Sequence, residues 1–384
     1  MGKHQFQQET PVKDGGCAES RWNHNADSPG LPALPTTSSP DPAAAALGGP
    51  EGGACLRVGP GRWLLAHGPF RRAADPPPHE TAFYRNDFAL SQENPWFIPA
   101  ASWETTAPPA ADGAELAISW DPLSREGFAG EMETVLAGLH DGRWRKAVLA
   151  VPETGRLTRG TPATIARRAL NHREASVSWP FVFHDAAGHG CAGMTPETLF
   201  TLRGRNLHTM ALAGTARTAE QDDFEHDTKQ IREHEIVADS LRMRLAAWGR
   251  VRSGPREVLN IGGLIHFITR FEVELEKSPD PAELIRTLHP TPALGILPRS
   301  AENLASLHAW RRQLGVPDTF GAPFGVHWNG GLQMVVAIRG LWWSPERVWL
   351  PAGCGIIDGS ALDREWRELG LKRRWVKQAF GLDA

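Results

Sequence analysis

Met194-Thr195-Pro196-Glu197-Thr198-Leu199-Phe200-Thr201-Leu202-Arg203-Gly204-Arg205-Asn206-Leu207-His208-Thr209-Met210-Ala211-Leu212-Ala213-Gly214-Thr215 is the stretch on which the fold turns. Strand-like runs at about 198 to 203 and 207 to 213 follow another at about 176 to 184, with no helix separating each pair. Strands grouped in this way argue for an α+β layering with antiparallel sheets, and against a doubly wound nucleotide-binding fold. Downstream, Ile231, Ile236, Val237, Leu241 and Leu245 recur at helical spacing and predict one long helix over about 219 to 247. A strand near 265 to 275, helices near 280 to 287 and 300 to 312, strands near 333 to 342 and 346 to 351, and a helix over about 361 to 379 complete the C-terminal half.

Upstream, Lys146-Ala147-Val148-Leu149-Ala150-Val151 reads as a compact apolar strand. Thr161-Pro162 supplies an N-cap and a proline at the first helical position, ahead of the apolar face of Ile165, Ala166, Ala169 and Leu170. Phe128 to Leu139 reads as a helix. Residues 1 to 60 hold 17 Gly or Pro and no apolar period, so 1–54 is expected to be disordered or loosely attached. Residues 55–126 read as an irregular β-rich N-terminal part, and 127–384 as the region carrying the chemistry.

The chain's 384 residues allow two or three domains or one large unit. A net charge of -3 excludes a strong field for polyanions, so no nucleic-acid partner is expected. No apolar run is long enough for a membrane span, and the start shows no apolar leader segment. The four cysteines (Cys17, Cys55, Cys191, Cys354) form no CxxC pair, so a reducing cytoplasm is the expected compartment.

Several segments carry residue types suited to chemistry. Glu365 and Glu368 lie three apart on a predicted helix, with Lys372 one turn on, which is either an ion-paired solvated face or a site. Arg232-Glu233-His234-Glu235 sets carboxylates beside a histidine without the HExxH spacing of zinc sites, whereas a carboxylate from each of two helices would suit Mg²⁺. Glu197 follows a proline at the head of an apolar strand, and Lys146 opens another, where burial could make it a base. His289-Pro290-Thr291-Pro292-Ala293-Leu294 is a loop stiffened by two prolines. Gly214-Thr215 and Ala352-Gly353-Cys354-Gly355-Ile356 let backbone N–H groups approach an anion, though neither is a nucleotide-binding fingerprint. Arg339 offers a carboxylate clamp. Taken alone, each segment reads more simply as a turn or a polar helix face.

Their order is what speaks. Lys146-Ala147-Val148-Leu149, Thr195-Pro196-Glu197, Leu212-Ala213-Gly214-Thr215-Ala216-Arg217, Lys229 with Glu233-His234, His289-Pro290-Thr291-Pro292-Ala293, Ala337-Ile338-Arg339, Ala352 to Ile356 and Glu365-Trp366-Arg367-Glu368 with Lys372 occur in that sequence. Over about 127 to 384 this resembles the chorismate-utilising family, and the His-Pro-Thr-Pro-Ala-Leu form is most similar to its isochorismate synthases. The resemblance implies two layered antiparallel sheets flanked by helices, the fold of anthranilate synthase component I. It implies a Mg²⁺-dependent isomerisation of chorismate to isochorismate, with no obligate protein partner, serving menaquinone or siderophore synthesis. Lys146 would activate water for attack at C2, and Glu197 would protonate the departing C4 hydroxyl. Glu233, Glu365 and Glu368 would serve the metal. His289 would lie beside the ring, while Gly214, Thr215, Arg339, Gly355 and Lys372 would hold carboxylates. A salicylate synthase, an anthranilate synthase-like component and a non-catalytic paralogue are the other readings. Departures from the family pattern fall at Val151, Ile296 and around 314 to 317.

Overall fold

Local signals set the helix starts. In the computed structural model, which describes residues 46–173 and 177–382, four helices begin just after a residue whose side chain caps their first turn. Thr161 forms a reciprocal capping box with Thr164 ahead of α2 (Pro162–Leu170), after α1 (Glu126–His140). The long helix expected over 219 to 247 is instead two, α3 (Gln221–His226) and α4 (Thr228–Leu245). The break is Asp227, whose backbone is extended and whose carboxylate accepts from the N–H groups of Lys229 and Gln230, so it caps the second helix. Asp280 and Ser300 likewise cap α5 (Pro281–Leu288) and α6 (Ala301–Gln313), and α7 (Leu362–Ala379) ends the fold.

Among the described residues the strands form two ten-stranded sheets, each with antiparallel pairing. The first is centred on Lys146–Arg159, Val348–Ile356, Gly340–Trp343, Gly190–Thr195 and Trp179–His184. The second is centred on Leu264–Leu275, Asn206–Arg217, Thr198–Arg203, Gly331–Val336 and Pro323–Trp328. Phe181 and Phe183 of the first meet Phe324 and Phe97 of the second, with ring centroids 5.6 Å apart for Phe181–Phe324 and 4.9 Å for Phe97–Phe183. Apolar inner faces therefore form the layer between the sheets. Helix α2 and the end of α7 cover the opposite face of the first sheet through Ile165, Ala169, Trp375 and Val376. No helix among the described residues is long and apolar enough to cross a membrane.

Three differences from the sequence reading have physical causes. Strands at Gly190–Thr195, Gly249–Ser253 and Pro323–Trp328 are additional to those expected, because glycine, proline or arginine interrupts their alternation, as is the short strand Glu257–Ile261, whose five residues include the weak strand formers Glu257 and Asn260. The strand expected over 333 to 342 is split, because Arg339 has φ +59° and turns the chain out of the ladder. The N-terminal strands are not a separate part. Gly53–Gly59 pairs with Trp179–His184, and Ala82–Arg85 pairs with Pro323–Trp328, so the segment before 127 extends both sheets.

Of the segment expected to be loose, residues 1–45 lie outside the described residues, but 46–54 are built in. Ala46 and Leu47 are buried, and His184 Nε2 lies 3.2 Å from the Ala46 carbonyl oxygen. Gly53 permits this approach, since a Cβ there would meet that oxygen at 2.2 Å. Leu47→Ala should therefore lower stability by about 2–5 kcal/mol in urea unfolding; wild-type stability would place Leu47 outside the core.

Candidate active site

One carboxylate-bearing helix rests on each sheet, and the site forms where the two meet. Helix α4 packs on Asn206–Arg217 and presents Glu233, while α7 packs on Val348–Ile356 and presents Glu365 and Glu368. Lys146, the first residue of its strand, is fully buried and donates to Glu233 Oε1 at 2.9 Å. Gly355 lies on the adjacent strand, paired with Val148. A Cβ at 355 would stand 2.0 Å from Glu233 Oε1 and 2.9 Å from Lys146 Nζ, so only glycine leaves room for the pair. Burial would raise the Glu233 carboxyl, but the Lys146 and Lys229 ammonium groups outweigh it and hold it below the ordinary range.

A second lysine links the helices. Lys229 Nζ stands 3.3 Å from Glu233 Oε2 and 3.0 Å from Glu365 Oε1. Burial disfavours its charge, yet Glu233, Glu368 and Glu365 push its pKa upward. Glu365 is 0% exposed, and neither of its oxygens accepts a well-aligned hydrogen bond. Burial first, then Glu368 and Glu233, raise it. Lys372 donates to Glu368 Oε1 and to the Gly353 carbonyl, both at 2.7 Å.

Glu197 lies in the wall of the adjoining cavity. Its N–H donates to Thr195 Oγ1 at 3.1 Å, and Thr291 Oγ1 donates to its Oε1 at 2.8 Å. Burial raises the carboxyl to about 7, against the lowering effects of Thr291, Lys146, Lys372 and Arg339. Arg339 is buried, which brings its guanidinium down to about 10. Its Nη2 lies 3.1 Å from His266 Nε2, and His266 Nδ1 lies 2.7 Å from the Gly214 carbonyl oxygen. An arginine only donates, so Nε2 accepts and the Nδ1–H donates to Gly214. Burial, followed by Arg339, holds His266 well below the usual imidazole range.

The cavity is lined by Glu197, Gly214, Thr215, Glu233, Arg339, Gly355, Glu368 and Lys372, so eight of the eleven sequence-derived candidates meet there. Lys146 lies behind this wall through Glu233, and Glu365 through Lys229. His289 is not brought to it: its Nε2 lies 2.8 Å from the Phe88 carbonyl oxygen, and its ring packs edge-on against Phe88. Burial takes its pKa down to about 3, as suits a neutral structural histidine. Thr291, from the same loop, supplies the contact with the site. The Thr215 N–H does not face an anion either, because Gln230 Oε1 accepts it at 3.2 Å. His234 and Glu235, read beside Glu233, diverge: His234 bonds Thr269 at 2.8 Å, and Glu235 stands 3.7 Å from Arg256. Lys229 carried no assigned role in the sequence reading, and His266 was not singled out; a histidine inside an apolar strand was the available signal for His266.

Among the described residues no three His, Cys, Asp or Glu side chains form a ready cation cluster. The donor chemistry nevertheless fits a hard divalent ion. Glu233, Glu365 and Glu368 offer hard oxygen donors, Glu368 and Glu233 stand near enough to raise the Glu365 carboxyl, and its buried oxygens lack aligned donors.

Two antiparallel sheets thus carry beside them one cavity walled by both carboxylates and cations. A family model described as "Chorismate binding enzyme" matches residues 99–381, and the chain belongs to that family. The salicylate biosynthesis isochorismate synthase of Pseudomonas aeruginosa is 29% identical over 279 residues, 67% of this chain and 56% of that protein. Isochorismate synthase EntC of Escherichia coli is 31% identical over 222 residues, 54% of this chain and 55% of that protein. The match thus spans little more than half the length of these curated relatives. The structure of MenF, the menaquinone-specific isochorismate synthase of Escherichia coli, superposes with a TM-score of 0.72 at 18% identity, covering 90% of this chain and 93% of that one. Anthranilate synthase component I of Streptococcus pneumoniae superposes at 0.61 and 16% identity, covering 81% and 82%. These likenesses establish the fold expected from the sequence.

Gly355→Ala should drive Glu233 away from Lys146. A displacement of about 1 Å at a reacting site costs on the order of 100-fold in rate. Loss of that order in turnover, with circular dichroism unchanged, is the expected result.

Proposed function

We propose that this chain catalyses the Mg²⁺-dependent isomerisation of chorismate to isochorismate. The observation that carries the reading is Glu197: a cavity-wall carboxyl held near pKa 7 by burial, among the cations Lys146, Lys372 and Arg339. Hydroxide is a poor leaving group, so its departure needs an acid that is still protonated near neutrality. As the C2–O bond forms, both ring double bonds shift (C1=C2 to C1=C6, C5=C6 to C4=C5) and the C4–O bond breaks. Glu197 gives its proton to the C4 oxygen, which leaves as water. Lys146 takes a proton from the attacking water. In its resting pair Lys146 is an ammonium that donates to Glu233, so it acts as the base only after it has given up that proton and left the contact.

Arg339 and Lys372 bind and orient the substrate carboxylates, and His266 fixes the Arg339 guanidinium from behind. Charge neutralisation and positioning, not covalent catalysis, carry the reaction. Glu233, Glu365 and Glu368 would hold Mg²⁺, which supplies neutralisation of a substrate carboxylate when bound. The identity of the Pseudomonas aeruginosa relative supports the assignment, as does the His-Pro-Thr-Pro-Ala-Leu loop.

The test is to incubate the purified protein with chorismate, with Mg²⁺ or with EDTA, and to identify products by chromatography and proton NMR. Isochorismate formed only with Mg²⁺ is the expected outcome. Salicylate and pyruvate would assign a synthase that continues to elimination, and unchanged chorismate would overturn the reading. Because the acid must be protonated, kcat should fall as pH rises through about 7. Glu197→Gln should abolish turnover while the protein remains folded.

A further inference from the structure

The loop after α5 is tied down more heavily than a surface turn requires. Arg244 Nη1 donates to the Pro290 carbonyl at 2.9 Å and to the Thr287 carbonyl at 3.5 Å. Arg299 Nη2 donates to the carbonyls of Arg286 at 2.8 Å and His289 at 2.9 Å. His289 adds its contact with Phe88 from the other side. These ties converge on the backbone just before Thr291, whose hydroxyl is directed at Glu197 Oε1. Thr291 is itself buried.

We infer that Thr291 is a positioning residue for the acid: its hydroxyl holds Glu197 Oε1 as an acceptor and leaves Oε2 as the oxygen that carries the transferable proton. The inference rests on the proposed role of Glu197 and goes beyond it by naming the group that orients the acid. A hydroxyl that donates to Oε1 forms a neutral hydrogen bond while the acid is protonated. Once Oε2 has lost its proton to the leaving oxygen, the same bond is charge-assisted and stronger. Thr291 therefore stabilises the acid's conjugate base as it forms, which is an interaction stronger in the transition state than in the ground state. The other groups facing Glu197 are cations: Lys146 from the strand at Lys146–Arg159, Lys372 from α7 and Arg339 from the turn between strands. Each favours the carboxylate through space, but among the described residues only Thr291 bonds a defined oxygen of it.

Thr291→Val keeps the shape and removes the donor. It should lower kcat by about 10- to 100-fold, the range for a hydrogen bond to a charged group, with KM changed less than threefold. The alkaline limb of the kcat profile should move to higher pH, because a group that favours the carboxylate has been removed. Thr291→Ser, which retains the hydroxyl, should restore both. The Glu197 titration read by NMR of ¹³C-labelled carboxyl carbons, without substrate, should also move upward in Thr291→Val. That measurement needs no turnover, so it separates this inference from the assignment of the reaction: inert Glu197→Gln with an unmoved titration in Thr291→Val would keep the acid and overturn the role of Thr291. Unchanged kcat and an unmoved limb in Thr291→Val would overturn it equally.

Discussion

The buried pair of Lys146 and Glu233 constrains the rest of the site. Two charges have left water here, and removing either partner would strand the other at a cost of about 3–5 kcal/mol. The pair joins the strand Lys146–Arg159 of one sheet to the helix on the other, so it fixes how α4 approaches that strand. Gly355 makes the approach possible by having no side chain at the crossing. Alternation of Lys229 with the carboxylates of Glu233 and Glu365 then extends the network to α7.

From this arrangement the two sides of the cavity acquire different character. On the helix side, carboxylates outnumber well-bonded donors, which leaves Glu365 crowded and short of hydrogen bonds. On the sheet side, Glu197 and Arg339 are held by short backbone-anchored contacts, through Thr195 and through His266 to Gly214. Arg339 occupies a left-handed backbone position, an arrangement that costs a non-glycine residue about 1–3 kcal/mol and persists where its surroundings over-determine it. The same turn that interrupts the strand aims the guanidinium at His266. Positioning of this kind costs stability locally and is offset by the aromatic layer between the sheets, where Phe181, Phe183 and Phe324 are buried.

Much of this was legible in the sequence, because the chemistry-bearing residues sit at element ends marked by strong local signals. Glu197 follows a proline at a strand start, Lys146 opens a strand, and Glu365, Glu368 and Lys372 share one helical face. The grouping of strands gave the antiparallel class for the same reason. What escaped was set by tertiary contact. Nothing local distinguishes His266 from a core histidine until Arg339 reaches it across the fold. His289 carried the conspicuous motif position, but its ring is engaged by the Phe88 carbonyl, and Thr291 makes the contact instead. Asp227 ended a helix that apolar spacing alone had run through, since periodicity does not register a cap. The glycines and prolines at the chain start suggested a loose segment, yet Gly53 is there because Ala46 passes within contact of it.

The central claim is that water, activated on the Lys146 side of the cavity, supplies the new hydroxyl while Glu197 releases the old one. Turnover of chorismate in ¹⁸O-enriched water, with the product analysed by mass spectrometry and carbon NMR, tests it directly. The account predicts one heavy oxygen per isochorismate, located at C2. Isochorismate carrying no solvent oxygen would mean that the hydroxyl migrates within the substrate, and would contradict the roles assigned to Lys146 and Glu197.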